Sequence, residues 1–284
     1  IPKNGGSSVH DQIRRFDERE SFFFQRRDLP GHGRYDYAHL PLAYLRAHFP
    51  DDLETIRRLE TFAVLRDPAD RFVSALSQRA RQHLKKTLAE LDQGALDAEI
   101  GRIRDHLQEH PRYPEFAFVH FVPQQAYVEL DGERVVTRLY PIERMPDLMR
   151  ALEERLGVPL IHDFHANRTV TFRNPERRAT LLKWKDKAKG ALPTWAYFRL
   201  KELALPLFTE VGAGENAKRA RATFENDALF QEYYADDNRL YAEIAGAHNK
   251  ISKEGSPDAC EHPDARPLAH DGGGQARQVE RGRW

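Results

Sequence analysis

Apolar residues recur along this chain with two different periods, and each period predicts a different element. Val9, Ile13 and Phe16 have helical spacing, which predicts a helix from Ser8 to Phe16 with Ser7 or Ser8 as its N-cap. Ser21-Phe22-Phe23-Phe24 predicts a short strand, followed by the turn-rich Leu29-Pro30-Gly31-His32-Gly33, and a second helix is predicted around Leu40 to His48. Thr61-Phe62-Ala63-Val64-Leu65 is the continuous apolar run of a buried parallel strand. It stops at Arg66-Asp67-Pro68, where Asp67 caps and Pro68 opens a helix along which Phe72, Leu76 and Leu84 share a face. Val135 to Tyr140 predicts the next strand, and Met145 to Leu156 an amphipathic helix ending at Gly157. Helices from Trp195 to Leu207 and from Leu229 to Ile244 complete the pattern, which as a whole predicts an α/β sheet covered on both faces.

Composition narrows the class. Hydrophobic residues make up 40% of the 284 and charged residues 31%, a globular balance. No apolar run approaches the ~20 residues that span a bilayer. Lys+Arg and Asp+Glu number 44 each, so the net charge is zero, which argues against a protein devoted to a polyanion but leaves local basic clefts open. The single Cys260 excludes an intramolecular disulfide framework and a cysteine-cluster metal site. Beyond Lys250 the chain turns to Gly, Pro, Asp, His and Arg, so residues 1–249 are read as one domain and 250–284 as a disordered tail.

The candidate chemistry begins at the first residues. Ile1-Pro2 runs at once into Lys3-Asn4-Gly5-Gly6-Ser7-Ser8, and a glycine loop of this kind normally follows a buried strand, so an upstream first strand is expected to be missing. A signal peptide or anchor would be lost with it. Glycines admit a ligand to the backbone, helix-start amides point outward and Lys3 adds charge: together these make an anion site. It is not the ATPase phosphate loop, in which Lys follows the last Gly. A second element, Arg66-Asp67-Pro68-Ala69-Asp70-Arg71-Phe72-Val73-Ser74, puts an Arg at a strand's carboxyl end and a Ser two turns later, where open α/β sheets bind ligands. Each element alone also reads as an ordinary turn or a solvated charge pair.

Together the two elements resemble the sulfotransferases that use 3′-phosphoadenylyl sulfate, within them the carbohydrate group that includes heparan sulfate 2-O-sulfotransferase and its bacterial relatives. The family's Pro-Lys-Thr-Gly-Gly-Thr-Ser loop is matched with Asn4 and Ser7 in the two Thr positions, and its Arg-x-Pro-x-x-Arg-x-x-Ser segment by Arg66, Pro68, Arg71 and Ser74. Fainter echoes follow in order: His120 to Gln125, Leu139 to Glu143, His165 to Thr169 and Tyr233 to Asp237. The resemblance covers roughly Ile1 to Ile244. It implies a P-loop-like three-layer fold, with a central, mainly parallel sheet flanked by helices. It further implies sulfuryl transfer to a carbohydrate hydroxyl, with 3′-phosphoadenosine 5′-phosphate as product.

Carried over residue by residue, Lys3 would meet the bridging oxygen, Asn4, Gly5, Gly6, Ser7 and Ser8 the 5′ side, and Arg66 and Ser74 the 3′-phosphate, with Arg168 and Thr169 adding to the grip. His32 is the leading base, since it lies in a glycine-flanked loop and in a segment like the family's Gly-His-x-x-Tyr. His120 is the reserve base, and Arg34, His120 and Glu143 are candidates for contact with the acceptor. Arg26, Arg27, Arg79, Arg81, Lys85 and Lys86 are candidates to line a cleft for an anionic saccharide, and Trp184, Trp195 and Tyr197 to stack on sugar. No metal and no nucleic-acid partner are expected. The compartment expected is the cytoplasm, or the Golgi lumen or a membrane-anchored position if an upstream segment has been removed. Two other readings stay open: a non-catalytic nucleotide- or glycan-binding module, and a kinase, which the placement of Lys3 disfavours.

Overall fold

The computed structural model describes residues 1–110, 115–162, 171–172, 200, 209–210 and 214–254. The chain divides into two units, Ile1–Gly246 and Ala247–Trp284. The glycine-rich start turns at Gly5, φ 79°, into helix α1 (Gly6–Ile13). Gly5 is itself the N-cap, so Ser7 and Ser8 lie inside the first turn rather than capping it. Phe22–Phe24 form one 3₁₀ turn instead of a strand. A strand would send alternate rings to opposite faces, whereas Phe22 and Phe23 both pack on Phe49, at 6.0 and 5.6 Å. The turn-rich segment that follows joins an antiparallel hairpin, β1 (Arg26–Leu29) and β2 (Gly33–Asp36), with Leu29 opposite Gly33.

Helices α2 (Leu42–His48) and α3 (Pro50–Arg58) lead to β3 (Phe62–Leu65). Then α4 (Pro68–Arg79) starts as expected, with the Asp67 carboxylate accepting the Asp70 N–H at 2.9 Å and Pro68 in the first turn. Helix α5 (Gln93–Glu109) was not anticipated. A short hairpin, β4 (Glu129–Leu130) with β5 (Glu133–Arg134), precedes β6 (Arg138–Pro141). That strand begins later than expected because the Val135 and Val136 amides both turn back to the Val128 carbonyl. Helix α6 (Met145–Leu156) ends at Gly157, φ 63°, the left-handed closure that glycine supplies at least cost.

Helices α7 (Glu215–Asn226), α8 (Ala228–Tyr233) and α9 (Ala235–Glu254) follow, so the single helix expected over 229–244 is broken at Tyr234. Helix α9 runs across the expected boundary at 249/250; residues 255–284 lie outside the described ones, as does the helix expected from Trp195.

β3 and β6 pair in parallel, Phe62 opposite Arg138 and Leu65 opposite Pro141. Their side chains alternate. Val64 and Tyr140 pack with Val9 of α1 and with Met145, Leu148 and Met149 of α6, while Leu65 packs with Leu240 and Ile244 of α9. Helices therefore cover both faces of the pair. A larger apolar core, holding Phe72, Leu76, Leu96, Ile103, Phe224 and Phe230, joins α4 to α5, α7 and α8. The chain is thus mixed helix and sheet, mostly helix. The β3–β6 sheet is parallel but small, and the other strand pairs among the described residues are separate antiparallel hairpins or pairs. No helix among them is long and apolar enough to cross a membrane.

Candidate functional site

The carboxyl end of β3 is where the polar side chains converge. Gln124 is fully buried there and bonds the Arg66 backbone twice, accepting its N–H and donating to its carbonyl, both at 2.9 Å. Its oxygen also accepts from Asn4 Nδ2 at 2.6 Å, while the same Asn4 nitrogen donates to the Val64 carbonyl at 2.7 Å. The loop expected to bind an anion is thereby fastened to the strand end. The Asn4 side-chain oxygen is buried and has no hydrogen-bond partner among the described residues.

Arg71 adds a second tie. Only 1% exposed, it donates to the carbonyls of Pro2 and His120 at 3.2 Å and of Val122 at 2.5 Å. Asp237 of α9 lies 4.0 Å from its guanidinium and accepts the Gln124 and Gln125 amides at 2.8 Å each. Burial pushes the Asp237 carboxyl up, against the pull of Arg71 and the two amides. Buried charges persist only when met by partners, and here one network meets both. Arg71, matched in the sequence motif without a role of its own, is the bolt joining the loop, α4, the His120 segment and α9.

Lys3 projects from this fastened loop. Its backbone has φ 69°, a left-handed geometry that costs a non-glycine residue energy and is held here by the surrounding bonds. Its ammonium donates to Gln78 Oε1 at 2.6 Å, and Gln78 Nε2 lies 3.4 Å from His120 Nε2. The His120 ring lies 5.2 Å from that of His39, whose Nδ1 is 3.2 Å from Asp36 Oδ2. Burial first, then the charges of Arg81, Arg66 and Arg71, bring the Lys3 ammonium down to about 8. Burial and the neighbouring His39, Lys3 and Arg71 bring His120 down to about 3.

The guanidinium of Arg66 has no hydrogen-bond or ion-pair partner among the described residues. Ser8 and Val9 return their amides to the Gly5 carbonyl, while those of Gly5, Gly6 and Ser7 have no backbone acceptor among the described residues. A side chain at Gly5 would meet Met145 Cε at 2.7 Å, whereas around Gly6 there is open space. Lys3, Arg66, the amides at the start of α1 and the open space at Gly6 thus belong to one strand end, a set of groups that suits an anion with two charged ends.

The structure therefore gathers Lys3, Asn4, Gly5, Gly6, Ser7, Ser8, Arg66 and His120, with Ser74 one turn before Gln78 on α4. It places His32 elsewhere, at the tip of the β1–β2 hairpin. There Nδ1 is 3.3 Å from the Tyr44 hydroxyl, beside a cavity of ≈ 270 Å³ that Tyr35, His110 and Glu115 help to line. Arg34 is exposed on the same hairpin, and Glu143 accepts from the Tyr241 hydroxyl at 3.0 Å at the end of β6. Arg79 cannot line a cleft, because it is buried in an ion pair with Glu99 and against the Phe118 ring.

Arg168, Thr169, Trp184, Trp195 and Tyr197 lie outside the described residues. Sequence reading missed Gln78 and His39, while Gln124 and Asp237 fell within the segments His120 to Gln125 and Tyr233 to Asp237 but were given no role. Gln78 carried a signal nonetheless: it follows Arg71 by seven residues and Ser74 by four, which puts all three on one helix face. No group of three or more metal-ligating side chains occurs among the described residues. Comparison with family models, with curated proteins and with solved structures gives no match.

Proposed function

We propose that this chain transfers a sulfuryl group from 3′-phosphoadenylyl sulfate to a hydroxyl of a carbohydrate acceptor, on a P-loop-like arrangement built around β3 and β6. One observation carries the reading. Lys3 is half-buried with the neutral Gln78 as its hydrogen-bond partner, and the charges that act on it among the described residues are those of Arg81, Arg66 and Arg71. A protein that needed only stability would set a carboxylate there; a receptor for a doubly charged anion would not. The open space at Gly6, the amides at the start of α1 and the orphaned Asn4 oxygen all fit a ligand with both anionic and donor groups.

When bound, the donor supplies an activated sulfur and a phosphate leaving group. The chain supplies position and charge. Lys3 lies where it can meet negative charge developing on the departing side, and Arg66 with Ser74 can hold a second phosphate. Transfer of this kind proceeds by in-line displacement, so fixing the loop through Asn4, Gln124 and Arg71 sets the geometry of the step.

The test has two readings. 3′-Phosphoadenosine 5′-phosphate should raise the melting temperature, and adenosine without phosphates should not. Radiolabelled sulfate from the donor should then appear on a member of a glycan panel, and Lys3→Ala should abolish that transfer without unfolding the protein. Stabilisation without transfer to any glycan would leave a nucleotide-binding module, and no stabilisation would end the proposal.

A further inference from the structure

Gln78 stands between Lys3 and His120, and its orientation is forced. An ammonium only donates, so the 2.6 Å contact from Lys3 fixes the carboxamide oxygen on the lysine side. The amide nitrogen then faces His120 Nε2 at 3.4 Å, and it too only donates. His120 therefore presents an unprotonated Nε2 and carries its proton on Nδ1. Its surroundings favour the same neutral ring. Lys3 from the loop, Arg71 from α4 and His39 beyond β2 oppose a positive charge there, against the carboxylate of Asp36, and burial opposes it most.

The carboxamide thus puts an acceptor against the ammonium and a donor against the imidazole. Two oxygens meeting in a sulfuryl transfer have that same polarity: a sulfuryl oxygen accepts from the cation while the attacking hydroxyl donates to the base. Resting on the sulfuryl-transfer reading above, we propose that His120 Nε2 takes the proton of the acceptor hydroxyl, and that Gln78 occupies the place of the reacting oxygens and yields it to them. The acceptor oxygen bonds to sulfur, and its proton goes to His120 Nε2. The sulfur–oxygen bond to the nucleotide phosphate breaks, and its electron pair leaves on that phosphate beside Lys3.

The carboxylate of Asp36, 3.2 Å from the His39 ring that faces His120 at 5.2 Å, offsets part of the charge His120 acquires. His32, at the hairpin tip, takes no part in the step. Burial does most to keep His120 neutral and the charges of His39, Lys3 and Arg71 add to it; an anionic donor beside Lys3 and Arg71 offsets that added part, so His120 becomes a stronger base in the complex than in the unbound protein.

The experiment uses the full chain, 3′-phosphoadenylyl sulfate and whichever glycan of the panel the wild type sulfates. Nucleotide binding is read first, by thermal shift with 3′-phosphoadenosine 5′-phosphate. His120→Ala should bind as the wild type does, lose about 10²–10⁴-fold in kcat and recover part of it with added imidazole. The acid limb of wild-type kcat should lie at higher pH than that of kcat/KM, because the first reports the complex and the second the unbound protein. His120→Asn repeats the test if the alanine variant fails to fold.

A His120 variant within a few-fold of wild type overturns the inference, and so does imidazole rescue of His32→Ala but not of His120→Ala. A normal nucleotide response with an indifferent His120 sinks this inference alone. No nucleotide response, or no glycan sulfated, sinks the sulfuryl-transfer reading and this inference with it.

Discussion

Helix α4 separates two interiors that handle the same side chain in opposite ways. On its apolar side Arg79 meets the buried Glu99 in a close ion pair, lies over the Phe118 ring at 3.9 Å and donates to the Ala117 carbonyl. On its polar side Arg71 spends its donors on three carbonyls, and its nearest carboxylate, Asp237, stands at 4.0 Å with its own oxygens committed to backbone amides. Charge is matched by charge in the first region and by dipoles in the second. The first is electrically quiet. The second leaves positive potential at Lys3, whose ammonium Arg71, Arg66 and Arg81 all push down. The difference is the physical basis for placing the function at the polar end.

The sharpest way to break this comparison is to remove each arginine in turn. Arg71→Met strands the Asp237 carboxylate and three carbonyls, and should cost about 3–5 kcal/mol in stability together with most of the nucleotide response. Arg79→Met strands Glu99 and should cost less than Arg71→Met, because Arg102 still reaches Glu99 at 3.0 Å, and the variant should keep its nucleotide response. Denaturant unfolding and thermal shift on the two variants check both halves. If Arg79→Met lost the response as fully as Arg71→Met, the two regions would not be functionally distinct.

Gln124 offers a smaller perturbation of the polar region. Gln124→Ala leaves both backbone groups of Arg66 without their partner and the Asn4 amide with the Val64 carbonyl alone. Unmade buried hydrogen bonds cost about 1–3 kcal/mol, so unfolding should shift by roughly that amount. The loop carrying Lys3 loses one of its anchors, so nucleotide affinity should fall further than stability alone explains. Isothermal titration beside denaturant unfolding separates the two, and an affinity unchanged from wild type would remove Gln124 from any positioning role.

What the sequence disclosed follows the same division. Local signals were legible: Asp67 and Pro68 opening α4, Gly157 closing α6, and an apolar run ending at Arg66 all depend on near neighbours, and the structure has them. Signals that depend on distant partners were not. Asn4 meets Gln124 across 120 positions and Gln124 meets Asp237 across 113; the segments that hold them could be singled out, but nothing in them marks these residues as partners. Phe22-Phe23-Phe24 misled because β propensity was read where packing on Phe49 decides the backbone. The site showed the same limit: its loop and its Arg66 end could be read, but whether His32 or His120 stands nearer to Lys3 is set by where the hairpin folds.

The smallest effect is expected at Lys3, and its sign is the informative part. The ammonium sits at about 8 when folded, against 10.5 for the unperturbed group, so between those values the unfolded chain binds more protons than the folded one. Stability therefore rises with pH through that window, and below about 8 the folded protein carries the full burden of a charged, half-buried lysine. Lys3→Met removes that burden but also the hydrogen bond to Gln78, so on balance the variant should be slightly more stable than wild type at pH 7, with the gap closing by pH 10. The polyanionic nucleotide favours the charged lysine and reverses the order. Its stabilisation of wild type should be greatest below pH 8 and weaken above it, while Lys3→Met should respond weakly at every pH. Paired unfolding curves at pH 7 and 10, with and without 3′-phosphoadenosine 5′-phosphate, measure all four corners. A Lys3→Met variant less stable than wild type at pH 7 without nucleotide would mean the lysine serves the fold, and the polar region would then be a structural seam like the Arg79 side.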